Sequence, residues 1–364
     1  MSSKLKYLAL IPFLTLALWS CGKTETPGGD PVPPEEPPVE PVDPVDPVDP
    51  VDPEPPEDAN SIRVLTYNLL ATSGRRTEMT LDKCRDAFGK IIRSANADIM
   101  CFNELDATYA SELPSIVGES RYKWDISNPN KVENGSLVYY YSNGFAYDAS
   151  KFTLISRGMN WYISTGTYTS SMTEAKNYHM PKYRTLVWCC LKHKHTQETM
   201  YVVSTHLPLS DDGDFPPYYI GLAHRVCATA LGELARSVSA PCILAGDFNS
   251  SSEEDDENSS GHSIILERWT DAYDVLKDSG ELGSYYLTYN GTLSGSSKKY
   301  YYESSVFTKN HPERRIDHIM YKNGAVTKLV PKSYSTITTG YVYAGKTFCP
   351  SDHLPVVVEF EISK

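Results

Sequence analysis

The segment Cys-Ile-Leu-Ala-Gly-Asp-Phe-Asn-Ser at 242–250 ends an apolar run with an acid and an amide two positions apart. The run predicts a buried strand over 242–247, and strand side chains two positions apart face the same side. Asp247 and Asn249 are therefore expected to lie together, with Phe248 directed into the core. The simpler alternative is a strand followed by an Asp/Asn turn, which is common in sheet proteins.

Other predicted strands also carry a polar residue at one end. These residues are Asn68 after Tyr67, Glu104 in Asp-Ile-Met-Cys-Phe-Asn-Glu, His206, Asp317, and the pair Asp352-His353 before the last strand. Each alone has an ordinary structural explanation, such as a core histidine, a surface acid or half of an ion pair. Because ligand sites favour sheet edges and strand ends, the set together predicts one shared site.

The elements that carry these polar residues are predicted to be mostly strands. Apolar runs predict strands at 61–70, 98–102, 139–141, 186–193, 200–204, 242–247, 316–321 and 356–362, and helical spacing predicts helices near 81–95 and 219–238. Strands outnumber helices, and their order along the chain is mixed. This favours an α/β or α+β protein with two stacked sheets and flanking helices.

Taken in order, the polar motifs resemble those of the endonuclease/exonuclease/phosphatase superfamily, the metal-dependent phosphoesterases that are similar to deoxyribonuclease I. The motifs are Tyr67-Asn68, Asn103-Glu104, Thr205-His206-Leu207, Gly246-Asp247-Phe248-Asn249, Ile316-Asp317-His318 and Ser351-Asp352-His353. The resemblance runs from about 61 to 361. It implies a four-layered α/β sandwich in which two mixed β-sheets are flanked by helices.

The resemblance also implies a phosphoester hydrolase that depends on Mg²⁺ or Mn²⁺. Phosphate esters resist hydrolysis because their negative charge repels a nucleophile, and a divalent cation neutralises that charge. Mg²⁺ prefers a few hard oxygen ligands. By the resemblance, Glu104 is the principal metal ligand, with Asn68 and Asp352 in or near the coordination shell.

Water activation and phosphate stabilisation fall, by the same resemblance, to a set of catalytic residues: Asp247, Asn249, His206 and His353, with Asp317 orienting His353. Arg184, just before a predicted strand, is a candidate for holding the phosphate through its forked donors. Its alternative is an ordinary surface arginine at a strand start.

The motifs leave the substrate open among nucleic acid, phospholipid and sugar phosphate. Thr205-His206-Leu207 departs from the pattern of abasic-site repair enzymes, and Arg315-Ile316-Asp317-His318 departs from that of inositol-polyphosphate phosphatases. We expect a monomeric phosphodiesterase or nuclease. The alternatives are a phosphomonoesterase, a sphingomyelinase-like phospholipid hydrolase, and a non-catalytic binding module on the same fold.

The first twenty residues predict a lipoprotein signal peptide. Lys4 and Lys6 precede an apolar run that is shorter than a typical transmembrane helix. Leu18-Trp19-Ser20-Cys21 resembles the lipobox of bacterial lipoproteins, which implies cleavage before Cys21 and lipidation of its sulfur. The expected location is the cell envelope, periplasmic or at the cell surface, with the outer membrane favoured. A soluble secreted protein cut near the same place is the alternative.

Residues 21–60 predict a disordered linker rich in proline and aspartate, which tethers a domain at 61–364. Proline at every third position favours polyproline II over helix or sheet. Of 46 acidic residues 12 lie in this linker, and three of 34 basic residues lie in it or before it, so the remainder holds 34 acidic and 31 basic residues. That balance supplies no strong basic field for a nucleic-acid specialist.

Seven cysteines follow Cys21 without a Cys-x-x-Cys pair, which indicates core residues.

Overall fold

Two β-sheets form the centre of the protein, which is described here as a computed structural model. The structure describes residues 59–72, 80–126, 142–178, 184–208, 217–251, 261–282, 288–289, 315–338, 341–343 and 346–364. They all belong to the unit Glu54–Lys364, one of the two units into which the chain divides. The predicted signal peptide, Cys21 and nearly all of the predicted linker lie outside the described residues.

The secondary structure elements of the described residues are mostly strands. The strands are β1 (Ser61–Asn68), β2 (Ile99–Leu105), β3 (Tyr122–Asp125), β4 (Ser142–Asp148), β5 (Phe152–Ile163), β6 (Thr167–Thr169), β7 (Thr185–His193), β8 (Thr199–His206), β9 (Cys242–Asp247), β10 (Thr270–Asp271), β11 (Asp317–Lys322), β12 (Lys328–Thr336), β13 (Tyr341–Tyr343), β14 (Lys346–Phe348) and β15 (Val356–Ser363). The helices are α1 (Leu81–Ala95), α2 (Ala107–Val117), α3 (Met172–Asn177), α4 (Pro217–Ser237), α5 (His262–Leu266) and α6 (Ala272–Asp278). In this part of the chain, none of the helices combines the length and the apolar character that a membrane crossing requires.

The strands pair into two mixed sheets. One sheet has the order β12-β15-β1-β2-β4-β3, and the other has the order β10-β11-β9-β8-β7-β5-β6. β1 runs parallel to β2, and β8 runs parallel to β9. Helix α1 connects the first parallel pair and helix α4 connects the second, as parallel strands require a crossover between them.

Apolar side chains alternate between the two faces of each sheet, so each sheet packs against the other sheet on one face and against helices on the other. In the first sheet, Val64 and Cys101 face the second sheet, whereas Leu65 and Met100 pack against α1 and α2. In the second sheet, outward residues such as Leu244 pack against α4 and α5. The order is helices, sheet, sheet, helices, which confirms the predicted α/β sandwich.

The sequence patterns located the central elements and missed several peripheral ones. The predicted strands and helices match β1, β2, β7, β8, β9, β11, β15, α1 and α4, while the strand predicted at 139–141 lies outside the described residues. The twelve-residue strand β5 was missed because its burial does not alternate regularly; Ile155, for example, is exposed. The seven cysteines after Cys21 are free and buried, as predicted.

Candidate active site

Strand alternation brings three polar side chains between the sheets at one edge of the sandwich. Asp247 follows Ala245 of the inter-sheet core by two residues, and His206 follows Val202 of the same core by four. Asn68 lies four residues after Val64, in phase with it on β1. β8 and β9 are parallel, as are β1 and β2, and the contact between Asn68 Nδ2 and Asp247 Oδ2 shows that both pairs end at the same edge.

Asp317 joins this edge from an antiparallel strand. It begins β11 and lies directly opposite Asp247 in the β9–β11 ladder. It is in phase with Ile319, which faces the inter-sheet core. Two buried carboxylates therefore occupy paired positions at the end of the ladder, and both have side-chain oxygens within reach of His353.

Glu104 reaches the same edge through an irregularity in β2. The β2–β4 register shifts between Phe102 and Leu105, and Glu104 has a φ of 57°. A regular strand would direct Glu104 toward the helical layer with Phe102. The bulge instead places its Oε1 3.3 Å from Asn68 Nδ2, and its Oε2 accepts a 2.9 Å hydrogen bond from the Ala71 amide.

Asn68 links the two sheets. Its Nδ2 donates to Asp247 Oδ2 at 2.9 Å and lies 3.3 Å from Glu104 Oε1, while its Oδ1 accepts from the Leu70 amide at 3.0 Å. Asn68 therefore presents donor hydrogens to the two carboxylates and turns its oxygen toward the backbone.

Asp247 is the most highly connected acid of the site. Its amide donates to Asn103 Oδ1 at 2.9 Å, and its Oδ2 lies 3.3 Å from His206 Nε2 and 3.6 Å from His353 Nε2. Burial raises the pKa of Asp247 to about 7, although the positive charge of His353 opposes that shift. Its carboxyl group can therefore gain or lose a proton near neutral pH.

His353 is held by Asp317. His353 Nδ1 lies 2.8 Å from Asp317 Oδ2. Burial acts to lower the pKa of His353, but the charges of Asp317 and Asp247 outweigh it and raise the pKa to about 10. His353 is therefore an imidazolium at neutral pH, and it donates its Nδ1 hydrogen to Asp317.

Asn249 lies beside Asp247, as the sequence predicted. The Asn249 amide donates to Asp247 Oδ1 at 2.9 Å. Asn249 Nδ2 donates to the Leu207 carbonyl at 2.9 Å and lies 3.0 Å from His206 Nε2. The residue has a φ of 51°, a left-handed conformation that asparagine tolerates better than most residues.

The acids at this edge fit a hard divalent cation. Burial raises the pKa of Glu104, and the nearby negative charge of Asp352 raises it further. Clustered carboxylates that repel one another are stabilised by a cation, and Mg²⁺ and Mn²⁺ prefer oxygen ligands of this kind. Ligand atoms of Asp247, Asp317 and His353 also lie within 4.8 Å of one another.

Arg184 is buried immediately before β7. Its carbonyl accepts from the Tyr162 amide at 3.0 Å. Burial raises the pKa of the Cys227 thiol in α4, and the charge of Arg184 acts in the opposite direction. These contacts place Arg184 next to the helical layer of the second sheet, and its contact with phosphate stays a prediction.

Sequence reasoning missed the part that Asn103 plays. Its Nδ2 donates to the Thr205 carbonyl at 2.9 Å and to Asn143 Oδ1 at 2.8 Å, while its Oδ1 accepts the Asp247 amide. The buried side chain thus connects β2 to β8 and β9. Its position in phase with Cys101 on the inward face of β2 was the available signal.

Comparison with known proteins gives the same fold and a family. The model of the "Endonuclease/Exonuclease/phosphatase family" matches residues 65–353, which include the whole site. No curated protein matches the sequence.

Three solved structures illustrate the likeness. A Bacteroides thetaiotaomicron protein of the endonuclease/exonuclease/phosphatase family is 18% identical, with a TM-score of 0.60 over 84% of this chain and 98% of its own. A mannosyl-6-phosphatase of the same organism is 18% identical, with a TM-score of 0.59 over 83% of this chain and 100% of its own. The catalytic domain of human nocturnin, with a bound sulfate anion, is 17% identical, with a TM-score of 0.50 over 84% of this chain and 95% of its own. With the family match over most of its length, this chain belongs to the endonuclease/exonuclease/phosphatase family of phosphoester hydrolases.

Proposed function

We propose that the domain hydrolyses phosphoesters with a divalent cation, Mg²⁺ or Mn²⁺, that Asp247 is the general base, and that His353 stabilises the charge of the phosphate. The observation that carries this proposal is the contact of Asp247 Oδ2 with the Nε2 atoms of both His206 and His353, at 3.3 Å and 3.6 Å. An acid and two imidazoles converge there at the end of two stacked sheets.

Glu104 and Asp352 are the residues that would hold the cation. Asn68 would lie in or near its coordination shell, where it orients Glu104 and Asp247. When bound, the cation supplies neutralisation of the phosphate charge and stabilisation of the leaving oxygen. The donor set supports this, because burial and the charge of Asp352 both raise the pKa of Glu104.

Asp247 is the proposed general base. Burial raises its pKa to about 7, which suits proton abstraction near neutral pH. Asn249 and His206 border the same carboxylate and would hold the attacking water in line with the phosphorus atom.

His353 is the proposed electrostatic partner of the phosphate. Asp317 accepts a hydrogen bond from His353 Nδ1, so the Nε2 hydrogen is directed to the side where Asp247 and the substrate would lie. A positive imidazolium in a buried setting stabilises negative charge that develops on the phosphate oxygens. Arg184 remains a proposed additional phosphate contact.

For the substrate, we propose phosphodiesters first, including nucleic acid, and phospholipids within the same class. Sugar phosphate monoesters are a second candidate, favoured by the fold likeness to a mannosyl-6-phosphatase. The nearly balanced charge of 61–364 also suits a small substrate better than a long polyanion.

A chelator experiment tests the hydrolase proposal. The purified chain with Cys21→Ala is incubated with bis-p-nitrophenyl phosphate or p-nitrophenyl phosphate and Mg²⁺ or Mn²⁺, then with EDTA. We expect turnover that EDTA abolishes and added metal restores, and a loss of about 10²- to 10⁴-fold in Asp247→Asn. A panel of DNA, RNA, phospholipids and sugar phosphates then ranks the substrates. The absence of chelator-sensitive turnover on every ester would favour a binding module.

We also propose that Cys21 anchors the protein in the cell envelope through lipid, with the outer membrane as the expected site, and that the domain is a monomer. Wild-type chain should incorporate labelled palmitate and sediment with membranes, whereas Cys21→Ala should do neither. Label in the Cys21→Ala variant, or its absence in wild type, would contradict the anchor. Light scattering of the Cys21→Ala chain tests the monomeric state.

A further inference from the structure

Two neighbouring residues of β11 serve opposite faces of the second sheet. Asp317 faces the inter-sheet core in phase with Ile319 and contacts His353, whereas His318 faces the helical layer in phase with Met320. His318 Nδ1 lies 2.7 Å from Asp271 Oδ2, and its Nε2 lies 2.9 Å from the Ser250 carbonyl. A second Asp–His pair therefore lies directly behind the candidate active site.

The ring of His318 is fixed on all sides. It is fully buried, with its ring centroid 5.0 Å from that of Phe248 and 4.7 Å from that of His262. Arg315 Nη1 donates to Asp271 Oδ2 at 2.8 Å and lies 2.9 Å from His318 Nδ1. The imidazole can therefore hold only one orientation, with Nε2 toward Ser250.

A metal ion does not explain this cluster. Ligand atoms of His262, Asp271 and His318 lie within 4.8 Å of one another. The guanidinium of Arg315, however, already lies against both Asp271 and His318 and compensates the carboxylate. His318 also uses its other nitrogen on a backbone carbonyl. The cluster fits a network that holds the backbone.

The backbone held by His318 is the turn that carries Asn249. At one end of this turn the Asn249 amide bonds to Asp247 Oδ1, and the Phe248 amide donates to the Ile316 carbonyl at 2.8 Å. At the other end of the turn, the carbonyl oxygen of Ser250 contacts His318 Nε2. Since Asn249 has a left-handed φ of 51°, contacts on both sides are needed to keep its side chain on His206 and Leu207.

We propose that His318 is a positioning residue, which fixes the Asn249 side chain in the active site by holding the Ser250 carbonyl. Asp271 and Arg315 in turn fix the His318 ring. The inference rests on the proposed function of the 247–249 turn, and it adds a residue that touches neither substrate nor cation.

Three substitutions of His318 separate positioning from packing. His318→Phe keeps a ring and removes the donor, His318→Asn keeps a polar group near Asp271 only, and His318→Gln can place an amide nitrogen near the former Nε2. We expect kcat to fall about ten- to hundredfold in the Phe and Asn variants, with KM unchanged, and to recover largely in Gln. Asp274→Asn is the matched control, because Asp274 contacts Arg315 at 3.6 Å and is 36% exposed; it should keep the wild-type kcat.

Hydrogen exchange gives a second measurement that needs no enzymatic activity. The Asn249 amide should exchange faster in the Phe and Asn variants than in Gln or Asp274→Asn, at temperatures where circular dichroism shows all of them folded. If wild type hydrolyses no ester but this exchange pattern holds, the proposed function fails while the positioning role stands. If wild type is active and the Phe variant changes neither kcat nor exchange, the positioning role is wrong. If one of the two variants does not fold, the other one tests the positioning role of His318 alone.

Discussion

His353 Nδ1 and Asp317 Oδ2 lie 2.8 Å apart, although 36 positions separate the two residues in the chain. The carboxylate belongs to β11, and the imidazole belongs to the loop before β15. Ser351 fixes that loop, because its Oγ donates to the Asn68 carbonyl at 2.7 Å and accepts the His353 amide at 3.1 Å. The pair is thus held from both sheets.

Replacing Asp317 with asparagine should shift the pH dependence of hydrolysis. Asp317 and Asp247 raise the pKa of His353 to about 10 against burial, so the imidazolium persists through neutral pH and is lost as the pH rises toward 10. In Asp317→Asn the pKa of His353 falls, and the alkaline decline of kcat/KM should move to lower pH by at least about one unit. Asp82→Asn, at an exposed acid on α1, serves as the control. An unchanged alkaline limb in Asp317→Asn would contradict the role of the pair.

Replacing Glu104 with glutamine should weaken cation binding more than it changes the reaction at saturating metal. The substitution removes one negative charge from the proposed ligands, so the half-saturating Mg²⁺ concentration should rise at least about tenfold, equivalent to roughly 1.4 kcal/mol. Activity is measured against Mg²⁺ concentration, with Glu233→Gln on the exposed face of α4 as control. A lost activity that no Mg²⁺ concentration restores would argue against Glu104 as a ligand.

Gly246 should tolerate no side chain. A Cβ at this position would lie 1.8 Å from the Thr205 carbonyl oxygen, where β8 and β9 pair. Gly246→Ala should therefore lower the free energy of unfolding by about 1–3 kcal/mol or more and displace Asp247. Gly232→Ala is the matched control: its Cβ would meet only Arg268 Cγ at 3.9 Å, and alanine stabilises a helix interior by about 1 kcal/mol. Urea unfolding measures both, and equal stability of the two variants would refute the close approach.

Replacing Asp271 with asparagine should change how stability depends on pH. Burial acts to raise the pKa of Asp271, but Arg315 and His318 prevail and hold it well below the ordinary value. A carboxylate with a depressed folded pKa stabilises the fold above its unfolded pKa of about 3.9, and this contribution fades as the pH falls below it. Asp271→Asn should therefore cost about 3–5 kcal/mol at pH 7, as the loss of a buried partner does, and the difference from wild type should shrink below about pH 4. Urea unfolding from pH 7 to pH 3 tests this; a constant difference would contradict it.

The order of polar residues at strand ends was sufficient to predict the fold and the convergence of Asn68, His206, Asp247 and His353. Alternation along regular strands fixes which side chains face inward for Asn68, His206 and Asp247, whereas His353 lies in the loop before β15 and was predicted from its motif. Glu104 departs from alternation through a bulge that depends on pairing with β4, a partner outside its own strand. Asp271 and Arg315 lie 44 positions apart, so no local pattern indicated their contact.

Asp247 and Asp317 form a rung of like charge in the β9–β11 ladder, the kind of cross-strand pair that opposes sheet formation. His353 contacts both carboxylates, and His206 and Asn68 contact Asp247, so the two strands depend on neighbouring side chains at the edge where the phosphate would enter. A domain selected only for resistance to unfolding would carry apolar residues at both positions. The two acids therefore lower conformational stability in return for hydrolytic activity. Apolar replacements of Asp247 and Asp317 should stabilise the fold and abolish activity.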